Sequence, residues 1–428
     1  MTLNWPISIL ALFGLILILL RRLQSFYQNF IVRVTTAHDA SILLQHSDLS
    51  SRAKPNRRLV DAFGIRNAFT TIDECFHRDS VSEIKSQLRM SGENDWIKVS
   101  SQAKSLVTSL KSPAEKIEDL GPLEELVQNF VFRVTLSHFF KGTPEISDDF
   151  VNYLASSINS LWNASKTCAS VSQEEVLKKS RNELLKCLSH IFGLCPPLDH
   201  LGDERNPLNK LLPAYETMWR VVLRCFIEVK FKSTDKTIHV ALLKFFEKPT
   251  QEQFEAATPQ GVSAKAIVLE TLRLYPPTRR IHRFTEPIGV SSFLLHALWL
   301  VTRLVNFNAG VPNKKAHHAI DVEYLHRDPV TWGEDSLEFN PSRIKHMKKP
   351  AFMPFGKGPY ICPAGNTFAP MMIGICVGAL LDGFQDVGPK VWRLVDEKKL
   401  EVDFSARPAP LGNGREGLPI WSLAQMNV

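Results

Sequence analysis

The sequence lacks several common signatures: it has no C-x-x-C pair, no run of glycine or proline, and no strong charge of one sign. Its seven cysteines are irregularly spaced along 428 residues, which argues against a disulfide framework or a structural zinc site. The 26 prolines and 21 glycines form no repeat, so a fibrous protein is excluded. The net charge of +7 is not gathered into a basic stripe, and we expect no nucleic-acid partner.

Apolar spacing predicts a mainly α fold. Hydrophobic residues make up 44% of the chain, enough for a large core. Strand signals are few and short, so we expect one large helical domain with small β-sheets. Asp73 and Ser80 are candidate N-caps. The predicted helices cover 80–110, 121–140, 147–165, 172–192, 211–231, 261–275 and 363–384.

The N-terminus is apolar enough to span a bilayer. Residues 3–20 contain only two polar side chains, and 18 helical residues can cross a hydrocarbon layer of about 30 Å. Arg21 and Arg22 follow the apolar run, where the positive-inside rule keeps them cytosolic. We therefore predict a membrane anchor over 1–22 and a cytosolic catalytic domain over 23–428.

The stretch around Cys362 is the most informative part of the sequence. Phe355, Gly356 and Gly358 precede the cysteine, and Pro363 follows it before a long apolar segment. Glycines allow a tight turn that brings backbone N–H groups near the sulfur. A helix beginning at Pro363 would place positive partial charge beside Cys362 and favour the thiolate. A shielded thiolate is a suitable proximal ligand for haem iron.

This loop resembles that of the cytochrome P-450 family of haem-thiolate monooxygenases, and most closely its fungal microsomal members. Phe355, Gly358, Cys362 and Ala364 fit the family's Phe-x-x-Gly-x-x-x-Cys-x-Gly/Ala pattern in register. The resemblance implies that Cys362 binds the iron of haem b. It also implies that Phe355, Gly358, Tyr360 and Ala364 contact the cofactor.

Two further segments resemble scaffold motifs of the same family. Glu270 and Arg273 lie one helical turn apart and precede Leu-Tyr-Pro-Pro, and Arg343 follows in FNPSRI. By resemblance, both guanidiniums bind the one buried carboxylate and stabilise the core beside the haem. Arg283 matches the family's position for a contact with a haem propionate.

The predicted helix over 211–231 resembles the family's oxygen-activating helix. Ala214, Tyr215, Glu216 and Thr217 match four motif positions. A threonine hydroxyl that bonds back to the helix can open a groove there. By resemblance, Thr217 and Glu216 relay protons to dioxygen as catalytic residues.

Several features depart from the family pattern. Tyr360 stands where the family mostly has Arg or His, and Ser100 follows Trp96 where an Arg is expected. An apolar stretch over 291–312 has the character of an insertion. The resemblance is clear over about 205–385 and faint over 25–200.

The resemblance implies a membrane-anchored monooxygenase of the endoplasmic reticulum. It would insert one oxygen atom from dioxygen into a small apolar organic substrate, in secondary metabolism, with electrons from NADPH through a separate flavin reductase. Two alternatives remain open. One is a haem-thiolate isomerase or dehydratase that needs no reductase. The other is a membrane-anchored remnant that does not bind haem.

Overall fold

The computed structural model describes residues 31–111, 119–142, 144–167, 171–198, 200–285, 316–346, 350–405, 410–412 and 420–427. Both the predicted anchor over 1–22 and the apolar stretch over 291–312 lie outside these ranges. Among the helices within them, we find none with the length and hydropathy that a membrane span requires.

Helices dominate the described ranges, as the apolar spacing predicted. In chain order they are α1 (Ala37–Gln45), α2 (Leu49–Phe63), α3 (Glu74–Gln87), α4 (Glu93–Lys111), α5 (Leu123–Phe139), α6 (Asp148–Thr167), α7 (Val171–Ile191), α8 (Leu208–Ile227), α9 (Lys236–Glu247), α10 (Gln251–Glu255), α11 (Ala264–Leu274), α12 (Val322–Arg327), α13 (Pro329–Trp332) and α14 (Phe368–Gly383). Short 3-10 turns cover Pro341–His346 and Gly358–Tyr360.

The predicted helix over 80–110 is two helices, α3 and α4, because periodicity alone does not reveal a break between helices of similar apolar face. Asp73 caps α3 as predicted, and its side chain accepts a hydrogen bond of 3.1 Å from the Phe76 backbone N–H. The assignment of Ser80 as an N-cap is wrong, because that residue lies inside α3. The Asp73 cap already begins the helix six residues earlier.

The described strands form two small three-stranded sheets. In the first, β1 (Ile31–Val34) pairs in parallel with β4 (Ala316–Asp321), which pairs antiparallel with β3 (Arg280–Thr285). In the second, β6 (Ser422–Asn427) lies between β2 (Asp119–Pro122) and β5 (Lys390–Val395). The first sheet joins the N-terminal part of the chain to two segments between α11 and α12.

Two long apolar helices, α8 and α14, form the centre of the main hydrophobic core. Helix α8 packs against α5, α11 and α14, and a π-helical turn over Glu228–Lys232 extends it. Helix α14 is buried on almost every side. At Gly378 a Cβ atom would lie 2.6 Å from the Phe246 Cβ, so glycine allows α9 to approach α14 closely.

A second, smaller core lies under the first sheet. It joins Leu43 and Leu44 of α1 to Ile320 of β4, Leu325 of α12 and Met353. Because Met353 lies nine residues before Cys362, this core fixes the base of the cysteine loop against the N-terminal helices.

Candidate active site

The cysteine loop is closed by its own backbone. The Cys362 N–H donates to the Phe355 carbonyl at 2.9 Å, and the Gly365 N–H donates to the Cys362 carbonyl at 3.1 Å. The Phe355 ring packs over the loop, where a Cβ atom on Gly365 would lie 2.6 Å from the ring carbon Cγ. Gly365 is a residue that our sequence analysis did not single out, and it is the one that allows Phe355 to cover the loop.

Gly358 has two reasons to be glycine. Its φ of +76° lies in the left-handed region, and a Cβ atom would lie 2.5 Å from the Leu44 carbonyl oxygen. Any side chain there would push the loop away from the end of α1. The loop therefore has a fixed position against the N-terminal part of the chain.

The prediction that a helix begins at Pro363 is wrong. Residues 363–367 form a turn, and α14 begins only at Phe368. Burial raises the pKa of the Cys362 thiol, and the Ala364 backbone N–H and the Arg52 charge oppose this only in part. The loop by itself therefore favours the thiol over the thiolate.

Glu270 and Arg273 form a fully buried ion pair, with both side chains 0% exposed. Arg273 Nε and Nη2 donate to the two carboxylate oxygens at 2.8 Å each. Its Nη1 donates to the carbonyls of His326 and Ser336, at 2.7 Å in both cases. One guanidinium thus ties α11 to the end of α12 and to the segment after α13.

Arg343 does not bind Glu270 as closely as Arg273 does, although we expected both guanidiniums to bind this carboxylate. Its Nε lies 3.5 Å from Glu270 Oε1, whereas two nitrogens donate to the Asp335 carboxylate at 2.8 Å each. The Asn340 backbone N–H donates to Glu270 Oε1 at 3.0 Å. The hydrogen bonds from Arg343 lower the pKa of Asp335, and the same hydrogen bonds raise the pKa of Arg343. Because Asp335 is the stronger partner, Arg343 contacts Glu270 only weakly.

His326 connects this ion pair to the cysteine loop. Its side chain is fully buried, and its Nε2 accepts a hydrogen bond of 2.9 Å from the Met353 N–H. Its ring stacks on Phe352 at 5.3 Å. Burial, and then the charge of Arg273, lower its pKa to about 3, so the ring is neutral. The HRDPVTWG segment of the sequence contains His326, but nothing in that segment alone indicates this role.

Arg283 and Tyr360, both predicted to contact a cofactor, lie beside the cysteine loop with two residues that the sequence did not indicate, Arg52 and His77. Arg52, on α2, lies over the Tyr360 ring at 5.2 Å, and the His77 and Tyr360 rings are 5.4 Å apart. Arg283 donates to the Ser47 hydroxyl at 3.3 Å and to the His282 carbonyl at 2.8 Å. We call Arg52, His77, Arg283 and Tyr360 the arginine cluster.

Thr217 lies on α8 and bonds back to the helix as predicted. Its hydroxyl donates to the Pro213 carbonyl at 3.0 Å. Pro213 has no N–H, so it leaves the Asn209 carbonyl without its helical donor, and the Asn67 side chain donates there at 3.2 Å. At this turn a helical hydrogen bond is missing, and a side chain from the segment after α2 replaces it.

Glu216 is buried, with 3% of its surface exposed, and Trp219 Nε1 lies 3.4 Å from its Oε1. It belongs to a buried row of charged residues one helical turn apart on α8, which continues with Arg220, Arg224 and Glu228. This row gives a structural explanation for the acidic residue within an apolar helix.

Trp96 and Ser100 on α4 are both buried. The Trp96 ring packs 5.8 Å from that of Phe368, where α14 begins. The Ser100 hydroxyl donates to the Phe246 carbonyl at 2.9 Å, so this position joins two helices and carries no charge.

Comparison with known proteins bears on the same segments. The family model described as cytochrome P-450 matches residues 312–398, which include His326, Arg343 and Cys362. Over 140 residues the chain is 30% identical to a cytokinin hydroxylase of Arabidopsis thaliana, covering 32% of this chain and 23% of the relative. It is 34% identical over 131 residues to a flavonoid-6-hydroxylase of Ocimum basilicum, covering 28% of this chain and 21% of the relative.

The solved structure of CYP154A1 from Streptomyces coelicolor A3(2) matches with a TM-score of 0.57 and 16% identity, over 95% of this chain and 96% of that one. Residues 312–398 thus match the cytochrome P-450 family, and the fold of the described residues is that of a solved P-450. The P-450 fold extends over the N-terminal half, where the sequence resemblance is faint. The sequence matches span only about a fifth to a third of the curated relatives' own length. Both relatives named here are plant proteins, so the likeness to fungal members stays a prediction.

We predict that Arg273→Ala lowers the free energy of unfolding by roughly 3–5 kcal/mol, because it leaves the Glu270 carboxylate buried and unpaired. That is a large share of a typical total stability. The measurement is the denaturant midpoint and the haem content of the purified protein. Arg279→Ala is the matched control, because Arg279 is 48% exposed and pairs with Glu323. Equal midpoints for the two variants would contradict the prediction.

We also predict that His326 makes stability depend on pH. Its folded pKa of about 3 lies below the usual 6.5, so the unfolded chain binds a proton that the folded chain does not. Stability is therefore full above pH 6.5 and falls as the pH decreases toward 3, by up to about 1.4 kcal/mol per pH unit. His326→Gln should reduce this slope in denaturant titrations between pH 6.5 and 4.5. His38→Gln, at an exposed position, should leave the slope unchanged, and identical slopes in both variants would contradict the assignment.

Proposed function

We propose that this chain is a haem-thiolate monooxygenase that inserts one oxygen atom from dioxygen into an apolar organic substrate. The observation that carries the proposal is the hydrogen-bonded cysteine loop, fixed through Met353 and His326 to the buried Glu270–Arg273 pair. Haem b bound through the Cys362 sulfur would supply the redox chemistry, since thiolate donation to iron promotes O–O cleavage.

The residues present fit a haem. Cys362 offers a sulfur ligand, and the Phe355 ring, which lies close against Gly365, covers one side of the loop. Arg283 is a buried cation beside the loop, suited to a propionate carboxylate. The intact Glu270–Arg273 pair also argues against a remnant that has lost the ability to assemble this core.

Thr217 and Glu216 are the proposed proton-handling residues. The Thr217 hydroxyl donates to the Pro213 carbonyl, and its oxygen lone pairs remain able to accept a hydrogen bond from a neighbouring acid or water that delivers the proton. Glu216 adjoins it in sequence and is buried on the same helix. This arrangement suits transfer of protons along α8 during monooxygenation, which an isomerase or a dehydratase does not need.

The remaining parts of the proposal concern partners and location. Electrons would come from NADPH through a separate flavin reductase. The apolar run over 3–20 would anchor the chain in the endoplasmic reticulum with its catalytic domain in the cytosol. Two relatives are named as hydroxylases of a cytokinin and of a flavonoid, which supports a small organic substrate and a role in secondary metabolism.

We predict that Cys362→Ala abolishes the thiolate-type carbon monoxide difference band of the reduced protein, because the variant lacks the sulfur that the cysteine loop supplies. Cys376→Ala is the control. Cys376 is fully buried inside α14, and burial raises its pKa to about 12, so its removal should leave the type of band unchanged. A band that survives in Cys362→Ala would contradict the assignment. A wild-type protein that shows no band at all would favour the remnant.

We predict that Thr217→Ala binds haem and accepts electrons normally but makes less product per NADPH and releases more hydrogen peroxide. A lost proton relay costs roughly 10²–10⁴-fold in the step that it serves. NADPH consumption, hydrogen peroxide and product are measured together with a reductase present. Thr217→Ser keeps the hydroxyl and should stay close to the wild type. Wild-type coupling in Thr217→Ala would instead favour the reductase-independent isomerase or dehydratase.

A further inference from the structure

Two buried guanidiniums lie beside the cysteine loop. Arg52 on α2 and Arg283 on β3 are each only 7% exposed. Burial lowers the pKa of both to about 10, and for Arg283 the nearby charge of Arg52 adds to the decrease. Two like charges therefore stand close together in a region of low polarity, although they come from parts of the chain 231 positions apart.

Among the described residues, neither guanidinium pairs with a carboxylate. Arg52 Nη1 lies 3.4 Å from His77 Nε2, and its guanidinium lies over the rings of Phe69 at 4.5 Å and Tyr360 at 5.2 Å. Arg283 donates to a hydroxyl and a carbonyl. Within the ranges that the structure describes, no Asp or Glu oxygen lies within 4.0 Å of either group. A buried cation without an anion is strongly unfavourable, so the pair is suited to an anionic ligand.

The position of the pair identifies the ligand chemistry. Arg52 lies 5.2 Å from the centre of the Tyr360 ring, two residues before the cysteine, and Arg283 donates to Ser47, just after α1, the helix against which Gly358 of the loop packs. A porphyrin bound at Cys362 carries two carboxylates at its edge. Two of the positions where the family carries a cation for them have none here: one is Tyr360, and the other is Ser100, whose hydroxyl donates to the Phe246 carbonyl.

We propose that Arg52 and Arg283 together bind the propionate carboxylates of haem, with Arg52 supplying the cation that Tyr360 does not. This rests on the proposed function, since it requires haem at Cys362. The Phe69 and Tyr360 rings stack on the Arg52 guanidinium and hold it in place, while its N–H donors remain available to a carboxylate. Tyr360 thus orients the arginine that replaces its own missing charge.

The test is the rate of haem transfer from the full chain to excess apomyoglobin. Loss of one charge-assisted hydrogen bond to a carboxylate should make haem loss from Arg52→Gln roughly 10- to 100-fold faster than from the wild type. Arg57→Gln is the matched control, because Arg57 lies on the same helix, is 70% exposed and pairs with Asp61. It should lose haem at the wild-type rate. Equal rates for Arg52→Gln and Arg57→Gln would overturn the inference.

Esterified haem separates binding from a structural effect. The apoproteins are reconstituted with haem dimethyl ester, which keeps the iron and the ring but has no carboxylate charge. Wild type and Arg52→Gln should then lose the ester at the same rate. A difference that persists with the ester would mean that Arg52 only supports the loop, and it would overturn the inference.

Two further outcomes keep the test decisive. If Arg52→Gln does not fold, Arg52→Lys is measured instead. The rate of ester loss divided by the rate of haem loss should be smaller for Arg52→Lys than for the wild type. Lysine keeps the charge but not the paired donors, so haem should leave faster while the ester leaves at the same rate. An unchanged ratio would overturn the inference. A wild-type chain that binds neither haem nor the ester contradicts the proposed function, and this result differs from all of the others.

Discussion

Glu270 and Arg273 neutralise each other where no water reaches them, and the remaining donors of Arg273 bind backbone carbonyls at His326, Ser336 and Glu338. A buried ion pair is stable only when each partner's further hydrogen bonds are satisfied. These contacts fix the position of α12, whose His326 holds Met353 and so the base of the cysteine loop. The loop needs only a short 3-10 turn of its own, because this pair positions it from one side and its backbone hydrogen bonds close it.

The buried charged row on α8 extends the same principle to the central helix. Arg220 donates to the Pro277 carbonyl at 2.8 Å, and Arg224 donates to the Gly412 carbonyl at 2.8 Å. Glu228 accepts a short hydrogen bond from the Tyr275 hydroxyl, which itself accepts from the Leu411 N–H at 3.1 Å. Charged side chains bonded to carbonyls thus hold α8 in register with the chain after α11 and with the C-terminal segment, which apolar packing alone would not define.

The sequence allowed prediction of features that depend on short-range pattern: most helices, the Glu270–Arg273 pair and the glycines before Cys362. It failed where the outcome depends on distant residues. The start of α14 at Phe368, and not at Pro363, follows from the turn that Phe355 covers. Arg343 bonds mainly to Asp335 because a 3-10 turn brings them together. Arg52 could not be found from the sequence, because its neighbour Tyr360 lies about 300 residues away and no motif links them.

The N-terminal helices are part of the wall of the site, although the sequence resemblance is faint there. The Leu44 carbonyl leaves no room for a side chain at Gly358, and Lys357 donates to the Ser41 hydroxyl at 2.9 Å. Ser47 accepts from Arg283, and Arg52 stacks on Tyr360. The cation beside the cysteine loop can come from the loop itself or from the helices α1 and α2 that pack against it. The reason is that the field of a buried charge depends on its distance and not on the segment that carries it. Loss of a charge at position 360 is therefore compatible with an intact site wherever this packing is preserved.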